Sequence, residues 1–390
     1  MRLLTLAVVV CALAVLPAGC GSGSSPASEH GPAAMAPRMT KSPFARTSDG
    51  RSVDLITLRN EAGTEVGILT YGGVIQTLKT VDRAGMLDDI VLGFDTLADY
   101  ETKSPFFGTL VGRYGNRIGK GRFTIDGHTY ALVKNNGPNH LHGGTKGWDK
   151  AVWTASDPFQ HEPGVGVVLS HTSPDGDEGY PGTVKAVVTY TLTDANELVV
   201  DYRATTDKPT VINLTQHSYF NLAGAKAGNV LDHELTVNAD GYTPVDEGLI
   251  PLGTVAPVAG TPLDFRTPMT IGARIDDRHE QMVKGGGYDH NFVLNRTGEG
   301  LSLAARVVDP VTGRTMTVST TEPGVQFYTA NFLDGTLVGK GGRVYQRRGG
   351  FCLETQHYPD SPNQPAFPST VLRPGEEYRS RTVFAFGVAK

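Results

Sequence analysis

Short runs rich in valine, threonine, tyrosine and leucine recur every 8 to 15 residues from Ser52 onward, separated by glycine-containing turns. With 48 glycines and 24 prolines in 390 residues, the composition favours many short strands over long helices. Asp126 and Gly127 stand between two such runs and predict a tight hairpin. No internal repeat and no amphipathic helix longer than two turns is evident, so the pattern predicts one all-β domain, a large antiparallel β-sandwich. Strands are expected at residues 53–58, 65–69, 122–125, 165–170, 183–192, 198–204 and 211–222.

The first 40 residues differ from the rest of the chain, and the folded domain is expected to extend from about Lys41 to residue 390. Arg2 precedes an apolar stretch, residues 3–16, that is too short to span a bilayer and is typical of an export signal. The sequence Leu-Pro-Ala-Gly-Cys then ends at Cys20 and resembles the cleavage box of bacterial lipoproteins, in which the cysteine is lipidated. Residues 21–40 follow as a flexible tether that starts with many Gly, Ser, Ala and Pro residues.

These N-terminal features predict an exported protein, anchored by lipid at the outer face of the bacterial cytoplasmic membrane or on the periplasmic side. Plain secretion after an ordinary signal cleavage is the alternative. Cysteine usage agrees with export, because only Cys352 lies in the domain and no internal disulfide is possible. The net charge of -5 and the lack of a lysine or arginine cluster argue against nucleic-acid binding. Nothing in the sequence indicates the oligomeric state.

Residues 213–222 differ from the other predicted strands in the kind of polar residues that they contain. As a strand they place their polar groups on one face and leucine and phenylalanine on the other. The polar face contains no lysine or glutamate, only hydrogen-bonding groups around a histidine, which is typical of a strand that lines a pocket for a polyhydroxylated ligand. The polar face consists of Asn213, Thr215, His217, Tyr219 and Asn221, and the apolar face includes Leu214, Phe220 and Leu222.

Four further segments accompany this one along the chain. They are Gly-Asn-Arg-Ile at 115–118, Asn-His-Leu-His-Gly-Gly at 139–144, Tyr-Asp-His-Asn-Phe at 288–292 and Phe-Cys-Leu-Glu-Thr-Gln-His at 351–357. In this order, the five segments resemble the signature of the aldose 1-epimerases (galactose mutarotases), with Gln216 where that family more usually has Asn. The resemblance implies a β-sandwich whose concave face holds a sugar. It also implies an isomerase of hexose metabolism that interconverts α- and β-anomers of free hexoses, by default D-glucose and D-galactose.

Anomer interconversion needs a general base for the C1 hydroxyl and a general acid for the ring oxygen, and it needs no cofactor or metal. Glu354 is assigned as the base, because a carboxylate in an apolar strand is either paired or functional. Spacing alone leaves a buried salt bridge equally open, and the family resemblance favours catalysis. His217 is assigned as the acid, since an imidazole with an ordinary pKa of about 6.5 exchanges protons near neutrality.

The resemblance also implies a set of sugar contacts. The resemblance implies that His142 holds the ring-oxygen side of the sugar and assists catalysis. The two glycines that follow it would let the backbone approach a ligand closely. Asn139 could reach the sugar from the same loop, whereas Arg113 is assigned a structural role. Amide, guanidinium and carboxylate groups suit sugar hydroxyls as hydrogen-bond partners. The predicted binding residues are Asn116, Arg117, His142, Tyr219, Asp289 and Gln326.

Residues of the same five segments are also compatible with a zinc site or with a cysteine nucleophile. A zinc site could be drawn from His142, His217, His290, His357, Asp289 and Glu354, but no pair has the tight spacing of a metal motif. Cys352 could be a nucleophile, although a single apolar-flanked thiol is more often a small core residue.

Three other functions compete with epimerisation as explanations of these residues. A lipid-anchored sugar-binding protein would not require Glu354 and His217. A hexose-6-phosphate epimerase would need a cationic phosphate subsite, for which the sequence shows no arginine cluster. A glycoside hydrolase would need two facing carboxylates, and only Glu354 and Asp289 are available.

Overall fold

The computed structural model describes residues 37–224 and 228–389. The predicted signal peptide, Cys20 and the tether as far as residue 36 lie outside these residues. The first strand begins at Met39, so Met39 and Thr40, which the sequence pattern assigned to the tether, belong to the folded part. Within the described ranges, no helix has the length and apolar character needed to cross a membrane.

The largest sheet in the described part of the chain is antiparallel and contains ten strands. Its central strands Val184–Thr193 and Glu197–Thr206 alternate buried with more exposed residues, which is typical of a sheet that packs on one face. The ten strands are Thr154–Ala155, Phe159–His161, Gly164–Ser173, Val184–Thr193, Glu197–Thr206, Glu234–Val237, Met269–Thr270, Ser302–Val308, Arg314–Thr320 and Tyr378–Val388.

Two five-stranded antiparallel sheets complete the main β-structure of the described residues. The first contains Met39–Arg46, Ser52–Arg59, Glu65–Leu69, Ile75–Val81 and Leu87–Asp89 in chain order. The second carries most of the chemistry described below and has the order Ala256–Pro257, Ala239–Tyr242, Asp289–Leu294, Gly324–Tyr328 and Cys352–Gln356. In the second sheet, every residue of the last two strands is buried, because both faces are covered by other parts of the chain.

Short paired segments connect the large sheets. They are Arg117–Ile118 with His140–Leu141, Thr109–Val111 with Thr215–His217, Arg122–Ile125 with His128–Ala131, and Thr210–Val211 with Val371–Leu372. The α-helices are Leu97–Lys103 and Glu280–Gly285, so no α-helix among the described residues exceeds two turns, as predicted. Single 3₁₀ turns are found at Gly119–Gly121, Trp148–Lys150, Asp177–Gly179, Ile271–Ala273, Lys340–Gly342 and Ser361–Asn363.

One continuous apolar core joins the three large sheets. Ile56 of the first five-stranded sheet, Val188 of the ten-stranded sheet and Phe292 of the second five-stranded sheet belong to the same cluster of buried side chains. The hydrophobic effect therefore holds the sheets face to face. The prediction of an all-β antiparallel sandwich is confirmed.

Two of the predicted strands and the predicted hairpin turn agree with the structure in their positions. Glu65–Leu69 and Arg122–Ile125 have the predicted bounds, and Asp126-Gly127 forms the predicted hairpin turn before His128–Ala131. The prediction for residues 211–222 is wrong, because only Thr210–Val211 and Thr215–His217 are strands there. Beyond His217 the backbone leaves Thr109–Val111 and pairs with two other segments, residues 90–92 and Phe351, so the strand does not continue as one ladder.

Candidate active site

A pocket of about 150 Å³ lies beside the strands Thr215–His217 and Cys352–Gln356. Its wall combines charged and polar groups with aromatic rings, which suits a sugar because hydroxyls need partners and C–H faces pack on rings. The residues predicted to contact the sugar line this pocket, except Gln326 and Asn139. The lining residues are Pro105, Phe106, Asn116, Arg117, Leu141, His142, His217, Tyr219, Asp289, Tyr328, Phe332 and Glu354.

Glu354 occupies the middle of an edge strand that pairs with Gly324–Tyr328. Its neighbour Leu353 packs in the core, so the alternation of the strand directs Glu354 to the opposite face. The carboxyl is 2% exposed, and its Oε1 lies 3.5 Å from Nε2 of His217. Burial raises the pKa of Glu354 well above its ordinary value, the nearby Asp289 raises it further, and Arg117 opposes both effects. The structure thus makes this carboxylate a stronger base than a solvated one.

His217 ends a strand that pairs with Thr109–Val111, and its ring is packed on several sides. The imidazole stacks on Phe106 at 5.8 Å and on Tyr219 at 5.1 Å between ring centroids, while His142 meets it edge-on at 5.0 Å. Burial lowers the pKa of His217 to about 4. The ordinary pKa assumed from the sequence is therefore wrong for this site, since the packed rings exclude the water that stabilises an imidazolium.

His142 has a defined tautomer. Its Nδ1 accepts the backbone N–H of Asn116 at 3.1 Å, and its own backbone N–H donates to the Asn116 carbonyl at 3.1 Å. A neutral ring whose Nδ1 accepts carries its proton on Nε2, so His142 offers the pocket an N–H donor. Burial, with smaller contributions from His217 and Arg117, keeps the pKa of His142 well below its ordinary value.

The glycines after His142 do not line the pocket, and both pack closely against other parts of the chain. Gly143 has φ 84°, and a Cβ there would collide with the carbonyl oxygen of Gly112. A Cβ on Gly144 would collide with the Glu178 side chain. The expectation that these glycines let backbone approach a sugar is therefore wrong; they let the His142 loop pack against its neighbours.

Asn139 lines a different cleft, and its Oδ1 accepts the backbone N–H of Lys120.

Arg117 and Asp289 face each other across the pocket. Nη1 of Arg117 lies 3.9 Å from Oδ2 of Asp289, and Nε of Arg117 donates to Asn136 at 3.2 Å. Gln326 donates from Nε2 to Oδ1 of Asp289 at 2.6 Å and does not line the pocket. The structure thus corrects the expected position of Gln326, which lies behind Asp289 and orients it.

Aromatic residues that the sequence did not single out form much of the wall. Phe106 has φ 69°, an uncommon backbone conformation for a residue with a side chain, and its ring stacks on His217 and packs at a tilt against His142. Tyr328 follows Gln326 by two residues, so strand periodicity could have identified it. Phe332 is 64% exposed and stacks on Tyr328 at the pocket. Tyr219 contributes its ring, whereas its hydroxyl donates to the Pro105 carbonyl and not into the pocket.

Three of the six residues considered for zinc lie close together, but their donor atoms are arranged for hydrogen bonding. Possible ligand atoms of His142, His217 and Glu354 lie within 4.8 Å of one another, the one such group in the described chain. However, His142 presents an N–H at Nε2 and no lone pair to this point. Elsewhere, Nδ1 of His357 forms an ion pair with Oε2 of Glu322 at 2.6 Å, and His290 accepts the backbone N–H of Asp289. This donor arrangement suits hydrogen bonding to hydroxyls better than metal binding.

The ion pair of Glu322 and His357 predicts a pH dependence of stability. The partner lowers the pKa of Glu322, and Glu322 raises the pKa of His357 although burial opposes it. Because the folded pKa of His357 exceeds the unfolded value of about 6.5, its stabilisation is present below that pH and is lost as pH rises through the folded pKa. We expect His357→Gln, which retains a neutral donor, to abolish this loss. Urea unfolding of both proteins from pH 5 to 9 measures it, and parallel curves would contradict the assignment.

A family model described as aldose 1-epimerase matches residues 54–385 of the chain. The chain belongs to the aldose 1-epimerase family. It is 49% identical over 355 residues to the galactose mutarotase of Sus scrofa, with 90% of this chain and 99% of the relative covered. It is 40% identical over 345 residues to the aldose 1-epimerase of Escherichia coli (strain K12), with 88% and 97% covered. The crystal structure of galactose 1-epimerase from Lactobacillus acidophilus NCFM resembles it with a TM-score of 0.79 at 29% identity, covering 90% of this chain and 99% of that one.

Proposed function

We propose that this aldose 1-epimerase family member interconverts the α- and β-anomers of free hexoses, with D-galactose and D-glucose as substrates. The observation that carries the proposal is the buried pair of Glu354 and His217, with Oε1 and Nε2 3.5 Å apart in a pocket lined by hydrogen-bonding groups. The C1 hydroxyl and the ring oxygen are bonded to the same carbon. Their acid and base must therefore lie close together, as these two groups do.

In the proposed reaction, the Glu354 carboxylate removes the proton of the C1 hydroxyl. The electron pair of that O–H bond becomes the carbonyl π bond, the bond from C1 to the ring oxygen breaks, and the ring oxygen takes a proton from Nε2 of His217. Rotation about the C1–C2 bond turns the aldehyde over, and the reverse transfers close the ring on its other face. Each group recovers its starting proton, so the cycle is balanced without a redox partner.

The opposite pKa shifts at the two groups suit this exchange. Burial raises the pKa of Glu354 and lowers that of His217, so burial favours the form in which Glu354 carries the proton and His217 is neutral. The reactive form, with Glu354 ionised and His217 protonated, has the same net charge. The pair reaches it by one internal transfer over 3.5 Å, without taking a proton from solvent.

The remaining wall residues would bind the sugar. His142 offers an N–H donor, Asn116 and Arg117 offer further polar groups, and Asp289 is an acceptor that Gln326 holds in place. The aromatic rings of Phe106 and Tyr328 would pack on the C–H faces of the sugar. Among the lining residues, Arg117 is the only cation, and it faces Asp289, which disfavours a phosphorylated hexose.

A direct test follows the optical rotation of freshly dissolved α-D-glucose and α-D-galactose with purified protein. Faster decay to the equilibrium rotation than in buffer alone supports the proposal. A sugar-binding protein without catalysis would bind the sugars, for example by calorimetry, and leave the decay rate unchanged. A hexose-6-phosphate specificity would show the acceleration only with the phosphorylated sugar.

Removing Arg117 should affect sugar binding more than the chemical step. Arg117→Ala deletes a donor that faces the hydroxyls in both ground and transition states, so KM should rise about tenfold or more while kcat changes little. Initial rates over a range of galactose concentrations measure both constants. A fall in kcat at constant KM would instead place Arg117 in the proton-transfer step.

We also propose that the protein is exported and anchored through a lipidated Cys20. The apolar stretch and the Ala-Gly-Cys sequence support this, and several acyl chains on one cysteine would anchor it stably. The native protein should partition into detergent, whereas Cys20→Ser should remain as precursor or appear soluble with unchanged kcat. A mature N-terminus downstream of Cys20, read by mass spectrometry, would contradict the anchor and indicate plain secretion.

A further inference from the structure

Cys352 is a buried thiol that the proposed reaction does not use, yet it contacts the proposed acid. Its Sγ lies 3.6 Å from Nδ1 of His217, within reach of a hydrogen bond to sulfur. Both side chains are buried, and Cys352 packs with Tyr219 and Tyr328 in the apolar cluster behind the pocket. Burial also raises the pKa of the thiol well above its ordinary value, so it is neutral and unsuited to act as a nucleophile.

The strand register explains why this contact exists. Cys352 and Glu354 are two residues apart on one strand and share a face, while Leu353 between them packs in the core. The imidazole of His217 lies across that face. Its Nδ1 meets Sγ of Cys352 and its Nε2 meets Oε1 of Glu354 at 3.5 Å, so one strand contacts both nitrogens of the ring.

We propose that Cys352 is a positioning residue that accepts the Nδ1–H of His217, so that only Nε2 exchanges its proton with Glu354 and the sugar. The inference rests on the proposed function for the step that Nε2 performs. The tautomer proposed for His217 is the opposite of that of His142, whose Nδ1 accepts a backbone N–H. The two imidazoles thus have different tasks: His142 donates a fixed hydrogen bond, and His217 transfers a proton.

A thiol suits this position because it is a weak, neutral acceptor. A carboxylate facing Nδ1 would stabilise the imidazolium and make it a poorer acid, whereas sulfur orients the ring with little effect on its charge. The other titratable groups in contact with the ring are Glu354 at Nε2, the edge-on His142 and the stacked Tyr219, and Arg117 and Asp289 lie farther along the pocket wall. Among the side chains that touch the ring, Cys352 is the one within hydrogen-bond reach of Nδ1, and the backbone of His217 itself also acts on the ring.

The test compares Cys352→Ala, which removes the acceptor, with Cys352→Ser, which keeps one. Leu353→Val is the matched control, because it removes a methylene from the same strand on the face that does not meet His217. Nitrogen NMR of labelled protein reads the tautomer of neutral His217 directly, and galactose mutarotation gives kcat and KM. We expect the wild type and Cys352→Ser to hold the Nδ1–H tautomer. In Cys352→Ala, the tautomers should mix and kcat should fall roughly five- to tenfold at unchanged KM.

A wild-type His217 with its proton on Nε2 would overturn the proposal. So would a Cys352→Ala variant with the wild-type tautomer, or one whose kcat falls no further than that of Leu353→Val. These outcomes differ from failure of the proposed function, because the NMR measurement needs no turnover. If the wild type does not accelerate mutarotation, the tautomer still reports whether Cys352 orients the ring.

Discussion

Glu354→Gln is expected to lower kcat for galactose mutarotation by roughly 10²- to 10⁴-fold, the range that a general base contributes. Glutamine has the same shape but cannot take the C1 hydroxyl proton, so KM should change little. The fall in kcat should come without a fall in the free energy of unfolding. The raised pKa of Glu354 means that the folded protein binds more protons than the unfolded chain above about pH 4.5, and its free energy of unfolding falls as pH rises. The neutral amide removes this penalty.

Glu322→Gln is the matched control for this prediction. Glu322 is equally buried, at 2% exposure, but it pairs with His357 and Tyr378 outside the pocket and its pKa is lowered. Its variant should lose stability at neutral pH and keep kcat per folded molecule. Thermal unfolding and polarimetry at pH 8 separate the two cases. If Glu354→Gln retained near wild-type kcat, the assignment of the base would be wrong.

His217→Gln should cause the second large effect, a fall in kcat of roughly 10²-fold or more at nearly constant KM. The amide of glutamine can still donate a hydrogen bond, but it cannot give a proton to the ring oxygen and regain it. The lost interaction therefore belongs to the transition state. Rapid polarimetry over a galactose concentration series measures kcat and KM separately.

His142→Gln tests whether the two histidines differ as proposed. It preserves an N–H donor in place of the Nε2–H that the backbone contact with Asn116 enforces, so its main effect should be on KM. Equal losses of kcat in the two variants would show that the histidines share proton transfer. A rise in KM without loss of kcat in His217→Gln would mean that the roles of acid and binding residue are exchanged.

The sequence was sufficient to predict those structural elements that depend on interactions between neighbouring residues. The hairpin at residues 122–131 depends on the turn chemistry of Asp126-Gly127, and the long strands depend on period-two alternation over a packed face. The apolar neighbours of Glu354 likewise indicated a carboxylate that is either paired or functional. Residues 213–222 show the limit, because their polar alternation was real but each part of the segment pairs with a different neighbour.

The amino-acid sequence alone determined the all-β class, the family and most of the polar residues of the pocket, since strand period, turn residues and motif order are local properties of the chain. Only the tertiary structure decided how those residues work together. It placed Nε2 of His217 3.5 Å from Glu354 across 137 positions of sequence, put Gln326 behind Asp289, and packed Gly143 against Gly112. It also shifted the pKa values of Glu354 and His217 in opposite directions. Burial and long-range contacts cause these effects, and both exist only after the sheets have packed.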